Sequence, residues 1–145
     1  MADGYSGTPL AKKLGIKPGF RVALIDEPSG FRSLLDGLPE GVAFEAGIGS
    51  TPDLIIAFHT ARAELERNLG PLADAVFPDR AIWLAWPKKT SKVPTDLTGD
   101  IVRATVLATE LVDIKVCAIS EVWSGLKVVW RKEHRSTPGR ARRDP

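Results

Sequence analysis

Two continuous apolar runs with a helical segment between them limit what this chain can fold into. The runs are Leu54–Phe58 and residues 81–86, and apolar strands without polar alternation are typical of a sheet covered on both faces. Between them, Leu65, Leu69 and Leu72 recur at the spacing of one helix face. A strand, a helix and a second strand in this order indicate a parallel sheet with crossover helices.

Shorter apolar segments complete the predicted sheet. Residues 21–26 and 42–45 have the pattern of two further strands, with a short helix over residues 31–38 between them. Residues 115–119 and 126–130 are too close together for a crossover helix, so we predict an antiparallel hairpin. The expected fold class is α/β, with a mostly parallel sheet of about six strands and a C-terminal antiparallel hairpin.

The two longer helices are expected to begin at threonine caps. Thr60 precedes the first and Thr95 the second, and a hydroxyl at this position accepts a hydrogen bond from the opening turn. Gly70 and Pro71 fall inside the first helical pattern. Because proline lacks a backbone donor, we predict a kink or two short helices there. The apolar stripe of the second helix continues to Leu111.

With 145 residues, the chain is predicted to form a single α/β domain over residues 14–131. An irregular arm over residues 1–13 precedes it, and a disordered basic tail over residues 132–145 follows it. No stretch has the length of a signal peptide or a membrane span, so we expect a cytoplasmic protein with no membrane partner. Cys117 lies in an apolar run and predicts a buried thiol. His134 lies in the tail, so no histidine pair predicts a metal site.

Positive charge is concentrated at the C-terminus. Residues 131–145 hold six Lys or Arg against two carboxylates, a balance of +4, whereas the whole chain carries +2. Such a tail would add salt-sensitive affinity for phosphate backbones, although basic ends usually only aid solubility. Nucleic-acid binding is therefore an alternative, and the residues that would carry it are Arg135, Arg140, Arg142 and Arg143.

Three parts of the chain resemble the class I S-adenosylmethionine-dependent methyltransferases. LGIKPGFRVALID resembles the lead-in to that family's first strand, and KVCAIS with GLKVVWRK resembles its terminal reversed hairpin. DLIIAFHT and FPDRAIWLAWP resemble its fourth and fifth strands. The resemblance covers most of residues 14–132 and implies a Rossmann-like, methyltransferase-like fold. That fold is reduced here, because residues 46–52 leave no room for a further helix, strand and helix.

The turn after the first strand departs from that family. Aligned without gaps, the family's three turn glycines fall on Asp26, Pro28 and Gly30, while Glu45 stands where the family has a ribose-binding carboxylate. The resemblance therefore assigns Asp26, Gly30 and Glu45 to a cofactor site. Carboxylates in the turn would repel the carboxylate of S-adenosylmethionine, and Pro28 removes a backbone donor. We therefore expect no cofactor, with S-adenosylmethionine as the alternative.

Nearly the whole chain is also similar to a family of small bacterial proteins of uncharacterised function. GYSGTPLAKKLGIKPG, WPKKTSKVPTDLTGDIVR and LVDIKVCAISEVWSGLKVV resemble recurring segments of that family. This resemblance implies a shared fold and no known activity.

The loop after the run at residues 81–86 is the predicted ligand site. Ligands of parallel α/β sheets bind beyond the carboxyl ends of the strands. Ammonium groups before a helix attract anions, and tryptophan faces would stack on a ring. The alternative is a solvated loop beside core tryptophans. The residues assigned to this anion or ligand site are Trp86, Lys88, Lys89, Lys92 and Trp123.

His59 follows a buried strand and has two interpretations. Oriented by Asp26 or Glu27, it would act as a general base; otherwise it is a half-buried histidine packed at a strand end. No nucleophile motif accompanies it, so we assign no catalytic residue. The leading hypothesis is a non-catalytic binding or regulatory domain for an anionic small molecule or a protein partner. A diverged methyltransferase and a nucleic-acid-binding accessory protein are the alternatives.

Overall fold

One six-stranded sheet organises the molecule, in the spatial order β2-β1-β3-β4-β6-β5. The structure is a computed structural model and describes residues 8–49 and 51–135. β1, β2, β3 and β4 run parallel, and β6 pairs antiparallel with both β4 and β5. The predicted fold class and the terminal hairpin are therefore confirmed. The strands are β1 (Arg21–Ile25), β2 (Ala43–Ala46), β3 (Leu54–Phe58), β4 (Ala81–Pro87), β5 (Leu111–Ala118) and β6 (Trp123–Trp130).

The two faces of the sheet are covered by different kinds of structure. Two helices, α2 (Arg62–Val76) and α3 (Gly99–Leu107), pack on one face, here called the helix face. The other face, the arm face, is covered by a short helix, α1 (Leu10–Lys13), and a 3₁₀ turn, Phe31–Leu34. Leu10 and Ala11 are 5% and 0% exposed, so a segment expected to be an irregular arm supplies core residues.

The predicted helix over residues 31–38 is wrong beyond its first turn. Only Phe31–Leu34 is helical, and it is a 3₁₀ turn. Gly37 and Gly41 have φ of 72° and 77°, a conformation that ends a right-handed helix. Phe31 nevertheless anchors the segment, because it is 2% exposed and meets Phe58 edge to face, with ring centroids 5.0 Å apart.

Of the two outcomes expected at the proline of α2, a division into two short helices is wrong, and a kink stays a prediction. The helix continues through Pro71 to Val76. Pro71 has no N–H to donate to the backbone carbonyl four residues earlier in the helix. Gly70 and Pro71 are both exposed, so water can bond that carbonyl instead. The buried stripe of Leu65, Leu69 and Leu72 packs the helix against the sheet on both sides of the proline.

Two of the expected helix caps belong to other residues. The Asp96 carboxylate accepts a hydrogen bond from Arg62 N at 2.7 Å, at the start of α2, whereas Thr60 caps nothing. The Thr98 hydroxyl accepts from Ile101 N at 3.2 Å and caps α3. Thr95 instead donates to Thr60 O at 2.5 Å. These contacts fasten the loop after β4 to the beginning of α2.

The closing hairpin is longer than predicted. Leu111, expected to end the α3 stripe, begins β5, and Trp123, expected in the turn, begins β6. The connection is therefore residues 119–122. The Ser120 hydroxyl accepts hydrogen bonds from the backbone N of Val122 and of Trp123, both at 3.1 Å, which closes this turn without a glycine.

Candidate ligand site at the carboxyl edge of the sheet

The chain reverses its direction across the sheet at β1. β1 pairs with β2 on one side and with β3 on the other, so the segments after β1 and β3 leave in opposite directions. In open α/β sheets this reversal leaves a crevice at the carboxyl ends of the strands, where ligands bind. The side chains at this crevice come from the turn after β1, the end of β2 and the residue after β3.

The turn after β1 keeps a left-handed conformation without a glycine in its first position. Asp26 has φ of 54°, and Gly30, at the end of the turn, has φ of 83°. Aspartate tolerates this conformation better than most residues, because its short side chain bonds locally. The turn therefore retains the backbone shape that glycine would otherwise supply.

The two carboxylates of this turn are not equivalent. Arg32 holds Glu27 through two hydrogen bonds, from Nε to Oε2 at 3.0 Å and from Nη2 to Oε1 at 2.9 Å. Asp26 is exposed. Because Arg32 compensates the charge of Glu27, the turn presents one uncompensated negative charge, that of Asp26, rather than two.

Glu45 lies in β2 beside this turn. Its Oε2 is 3.3 Å from Arg21 Nε, and its side chain is 30% exposed. A Cβ on Gly49 would lie 2.9 Å from Glu45 Oε1, so the absent side chain leaves room for the carboxylate beside the backbone. Gly49 also has φ of 56°. Arg21 and Gly49 thus orient a half-buried carboxylate at the end of β2.

His59 is the only buried polar or charged residue in the described part of the chain, at 2% exposure. Its ring lies under α2, where Nε2 is 3.1 Å from Asn68 Nδ2, and its Nδ1 is buried without a hydrogen-bond partner there. Burial lowers the pKa of His59 below its ordinary 6.5, and the carboxylates of Glu64 and Asp26 oppose this effect. The general-base interpretation loses support, because the ring is covered.

Stability should fall on acidification because of His59. The unfolded chain protonates this ring near pH 6.5 while the folded chain resists protonation, so its contribution is complete above that pH and is lost below it. One such proton gives a slope of at most about 1.4 kcal/mol per pH unit. We expect this slope in chemical unfolding of a His134→Gln background, which removes the other histidine. His59→Gln in that background should flatten the slope, and an unchanged slope would contradict the assignment.

The predicted tryptophan platform is not formed. Trp86 is 8% exposed and packs in the helix-face core, against Leu97 and 3.4 Å from the Cβ position of Gly99. Trp123 belongs to the arm face, where it meets Phe58 edge to face at 5.0 Å. Trp123 is the register partner of Pro87, and paired residues point to the same face of a sheet. Trp86, the neighbour of Pro87 along β4, points to the opposite face, so the two rings are on opposite sides of the sheet.

The lysines of the predicted site lie in an extended loop. Lys88 donates its backbone N to Val122 O at 2.7 Å, and Lys89 begins a 3₁₀ turn that ends at Ser91. Lys92 has φ of 64° and is exposed, as is Lys89. These lysines belong to one loop, but neither tryptophan offers them a ring face.

The basic tail, a metal site and a membrane span are the remaining features considered from the sequence. Arg135 donates from Nε to Trp130 O at 2.9 Å, which fixes the start of the tail to the last strand. Arg140, Arg142 and Arg143 lie outside the described residues, so nucleic-acid binding through them stays a prediction. Among the described residues, no cluster of His, Cys, Asp or Glu could hold a metal ion. In the same part of the chain, no helix is both long and apolar enough to cross a membrane.

Several solved structures that superpose on this chain are methyltransferases. An S-adenosylmethionine-dependent methyltransferase from Aquifex aeolicus superposes with a TM-score of 0.55 at 15% identity, covering 82% of this chain and 86% of that one. Magnesium protoporphyrin IX methyltransferase (ChlM) from Synechocystis PCC 6803, with bound SAH, gives 0.54 at 14% identity, covering 84% and 78%. The chain has a class I methyltransferase fold. The pyocyanin biosynthetic protein PhzM gives 0.62 at 11% identity, covering 84% of this chain and 53% of PhzM.

Sequence-level comparisons give no family. No protein-family model matches the chain, and no curated protein matches it either. The similarity to a bacterial family of uncharacterised function therefore stays a prediction.

Two partners in the site were missed by sequence reasoning. Arg32 bonds Glu27 from the 3₁₀ turn that follows the β1 turn, a contact that the sequence pattern does not indicate. The pairing of Arg21 with Glu45 could have been anticipated, because parallel register places Ala43 beside Arg21 and brings alternate side chains to one face.

Proposed function

We propose that the carboxyl edge of β1, β2 and β3 binds a ligand of the S-adenosylmethionine type and that the protein is a diverged methyltransferase. One observation carries the proposal: a left-handed turn at Asp26 and an oriented Glu45 carboxylate stand together at the switch point of the sheet. The fold shared with methyltransferases supports the same position for a ligand.

Each end of such a ligand has a partner at this edge. Glu45 would accept a hydrogen bond from a ribose hydroxyl through Oε2, the oxygen that lies 3.3 Å from Arg21 Nε. Asp26 would face the amino-acid end. S-adenosylmethionine has two positive groups, a sulfonium and an ammonium, and one carboxylate, so its net charge is positive. A single exposed aspartate therefore attracts the ligand as a whole. The acidic turn is compatible with this ligand, because Arg32 compensates the charge of Glu27.

When bound, the ligand would supply an electrophilic methyl group at its sulfonium. The described residues bind and orient it, and the acceptor would bring its own nucleophile. His59 is covered by α2, so its place is beneath the site, as a neutral positioning residue between Asn68 and the turn.

Isothermal titration with S-adenosylmethionine and S-adenosylhomocysteine tests the proposal. Asp26→Asn should weaken S-adenosylmethionine about tenfold and the uncharged thioether less, since only the first has a sulfonium. Asparagine also tolerates the left-handed backbone at this position. Glu45→Gln should weaken both ligands, by about tenfold or more, because a charged acceptor is lost. Asp79→Asn, in the turn before β4 at the opposite edge, is the matched control.

Absence of heat with both ligands at millimolar concentration would overturn this function. Equal weakening of the two ligands by Asp26→Asn would instead place the sulfonium elsewhere. A second candidate, a non-catalytic binding domain, is favoured by Pro28, which leaves the turn one donor short for an anionic group. That candidate predicts no binding of either ligand and no transfer of a methyl group.

A further inference from the structure

Two lysines of the terminal hairpin and one from the segment before β1 lie on the arm face, on the side of the sheet away from the candidate site. Lys115 in β5 and Lys127 in β6 stand directly opposite each other in the hairpin register. Lys17 comes from the segment between α1 and β1, two residues after Gly15, which Lys127 approaches. We call Lys17, Lys115 and Lys127 the lysine cluster.

Lys127 is the centre of the cluster and is half-buried. Its Nζ lies 3.3 Å from the Cβ position of Gly15 and 6.0 Å from the centroid of the Trp83 ring. A side chain at position 15 would therefore crowd the ammonium group. Burial, together with the charges of Lys115 and Lys17, lowers the pKa of Lys127 from its ordinary value.

The ammonium groups of the cluster repel one another, although Lys127 also contacts the face of Trp83. In the described part of the chain, the ammonium groups of Lys17, Lys115 and Lys127 form no ion pair and no hydrogen bond. Like charges directly opposite each other in a hairpin destabilise it, and partial burial of one of them strengthens the repulsion. A multiply charged anion between the lysines would reverse this balance.

We propose that the lysine cluster binds the diphosphate group of a small ligand. Lys115 and the half-buried Lys127 stand opposite each other in register, and the segment that carries Lys17 approaches Lys127 at Gly15. Positive charge concentrated in this way suits a compact group with several negative charges. An extended nucleic-acid backbone would need cations in an exposed row, and Lys127 is recessed beside Gly15. The site is separate from the carboxyl edge, since β5 and β6 lie at the far side of β4 from β1.

Thermal unfolding with sodium pyrophosphate tests this site, with sodium chloride of equal ionic strength as the reference. The wild type should gain about 5 °C in Tm at saturating pyrophosphate. Lys115→Gln combined with Lys127→Gln should lose at least about tenfold in pyrophosphate affinity. Lys88→Gln combined with Lys89→Gln removes the same charge from the loop after β4 and should leave the response unchanged.

The ligand-free proteins provide a second readout. Lys115→Gln alone should raise Tm slightly, because it removes repulsion from Lys127; a lysine with a merely structural role would lower Tm when replaced. Cys117, the one cysteine of the chain, lies two residues from Lys115 and packs toward the same face. Pyrophosphate should therefore slow its modification by a thiol reagent in the wild type but not in the double variant.

Three results would overturn the proposal. The first is an equal response of the wild type and the Lys115/Lys127 double variant to pyrophosphate. The second is loss of the response in the Lys88/Lys89 control, which would move the anion site to that loop. The third is binding of a single-stranded oligonucleotide through the cluster with no effect of pyrophosphate. Glu45→Gln should leave pyrophosphate binding intact, so this test is independent of the methyltransferase proposal.

Discussion

Replacing Trp83 with alanine should lower the free energy of unfolding by about 3–5 kcal/mol. The ring is 0% exposed at the centre of the arm-face core, and its Nε1 donates a hydrogen bond to Leu14 O at 2.9 Å. The substitution opens a cavity and also leaves that carbonyl without its donor. Since domains of this kind are stable by about 5–15 kcal/mol, the variant should be partly unfolded at moderate temperature.

Urea unfolding followed by far-ultraviolet circular dichroism measures this effect without depending on the lost indole. Trp83→Phe keeps most of the packing and loses the hydrogen bond, so it should cost about 1–3 kcal/mol. Leu107→Ala, at a side chain that is 42% exposed, should change stability by no more than about 0.5 kcal/mol. If Trp83→Ala matched Leu107→Ala, the segment that contains α1 would not be packed on the sheet as described.

Replacing Arg80 with alanine should cost about 2–3 kcal/mol. Its Nη1 donates to Pro52 O at 2.7 Å and its Nη2 donates to Phe77 O at 2.6 Å, and both bonds are partly buried. The guanidinium thereby ties the segment before β3 to the end of α2. Hydrogen bonds from a charged donor contribute about 1.5–3 kcal/mol each, with overlap between two bonds from one side chain.

Two control variants separate the contribution of the Arg80 hydrogen bonds to stability from the contribution of its charge. Arg80→Lys keeps the charge but cannot reach both carbonyls, so it should recover less than half of the loss. Arg67→Ala removes the same charge from an exposed position on α2 and should be nearly neutral. Full recovery by lysine would show that charge alone matters at position 80.

The parts of the fold that could be predicted from sequence are those set by burial on both faces. β3 and β4 are short, continuous apolar runs with β-branched or aromatic residues, which favour buried strands, and α2 follows from its leucine stripe. The errors lie where tertiary contacts override local preference. Pro71 is tolerated in α2 because it faces solvent, and Asp96 caps α2 from a distant part of the chain.

The candidate site was only partly predictable for a related reason. Asp26, Gly30 and Glu45 could be placed at one edge from strand order alone. The residues that pair with the site carboxylates are harder to predict, because the sequence does not specify the path of the loops that carry them. Arg32, which compensates the charge of Glu27, is one example. Part of the lysine cluster could be predicted, because the hairpin register pairs Lys115 with Lys127. The contribution of Lys17 could not, because it comes from a distant part of the chain.

Because β6 lies between β4 and β5, the sheet cannot be completed in the order in which its strands are synthesised. β5 leaves the ribosome first, yet its strand neighbour in the described sheet is β6. Before β6 is synthesised, the edge of β4 that pairs with β6 is open and β5 has no strand partner. Ile114 and Val116 of β5 are exposed even in the folded molecule. A nascent chain that stalled in the turn at residues 119–122 would therefore lack two strands rather than one, and would offer chaperones an unpaired edge.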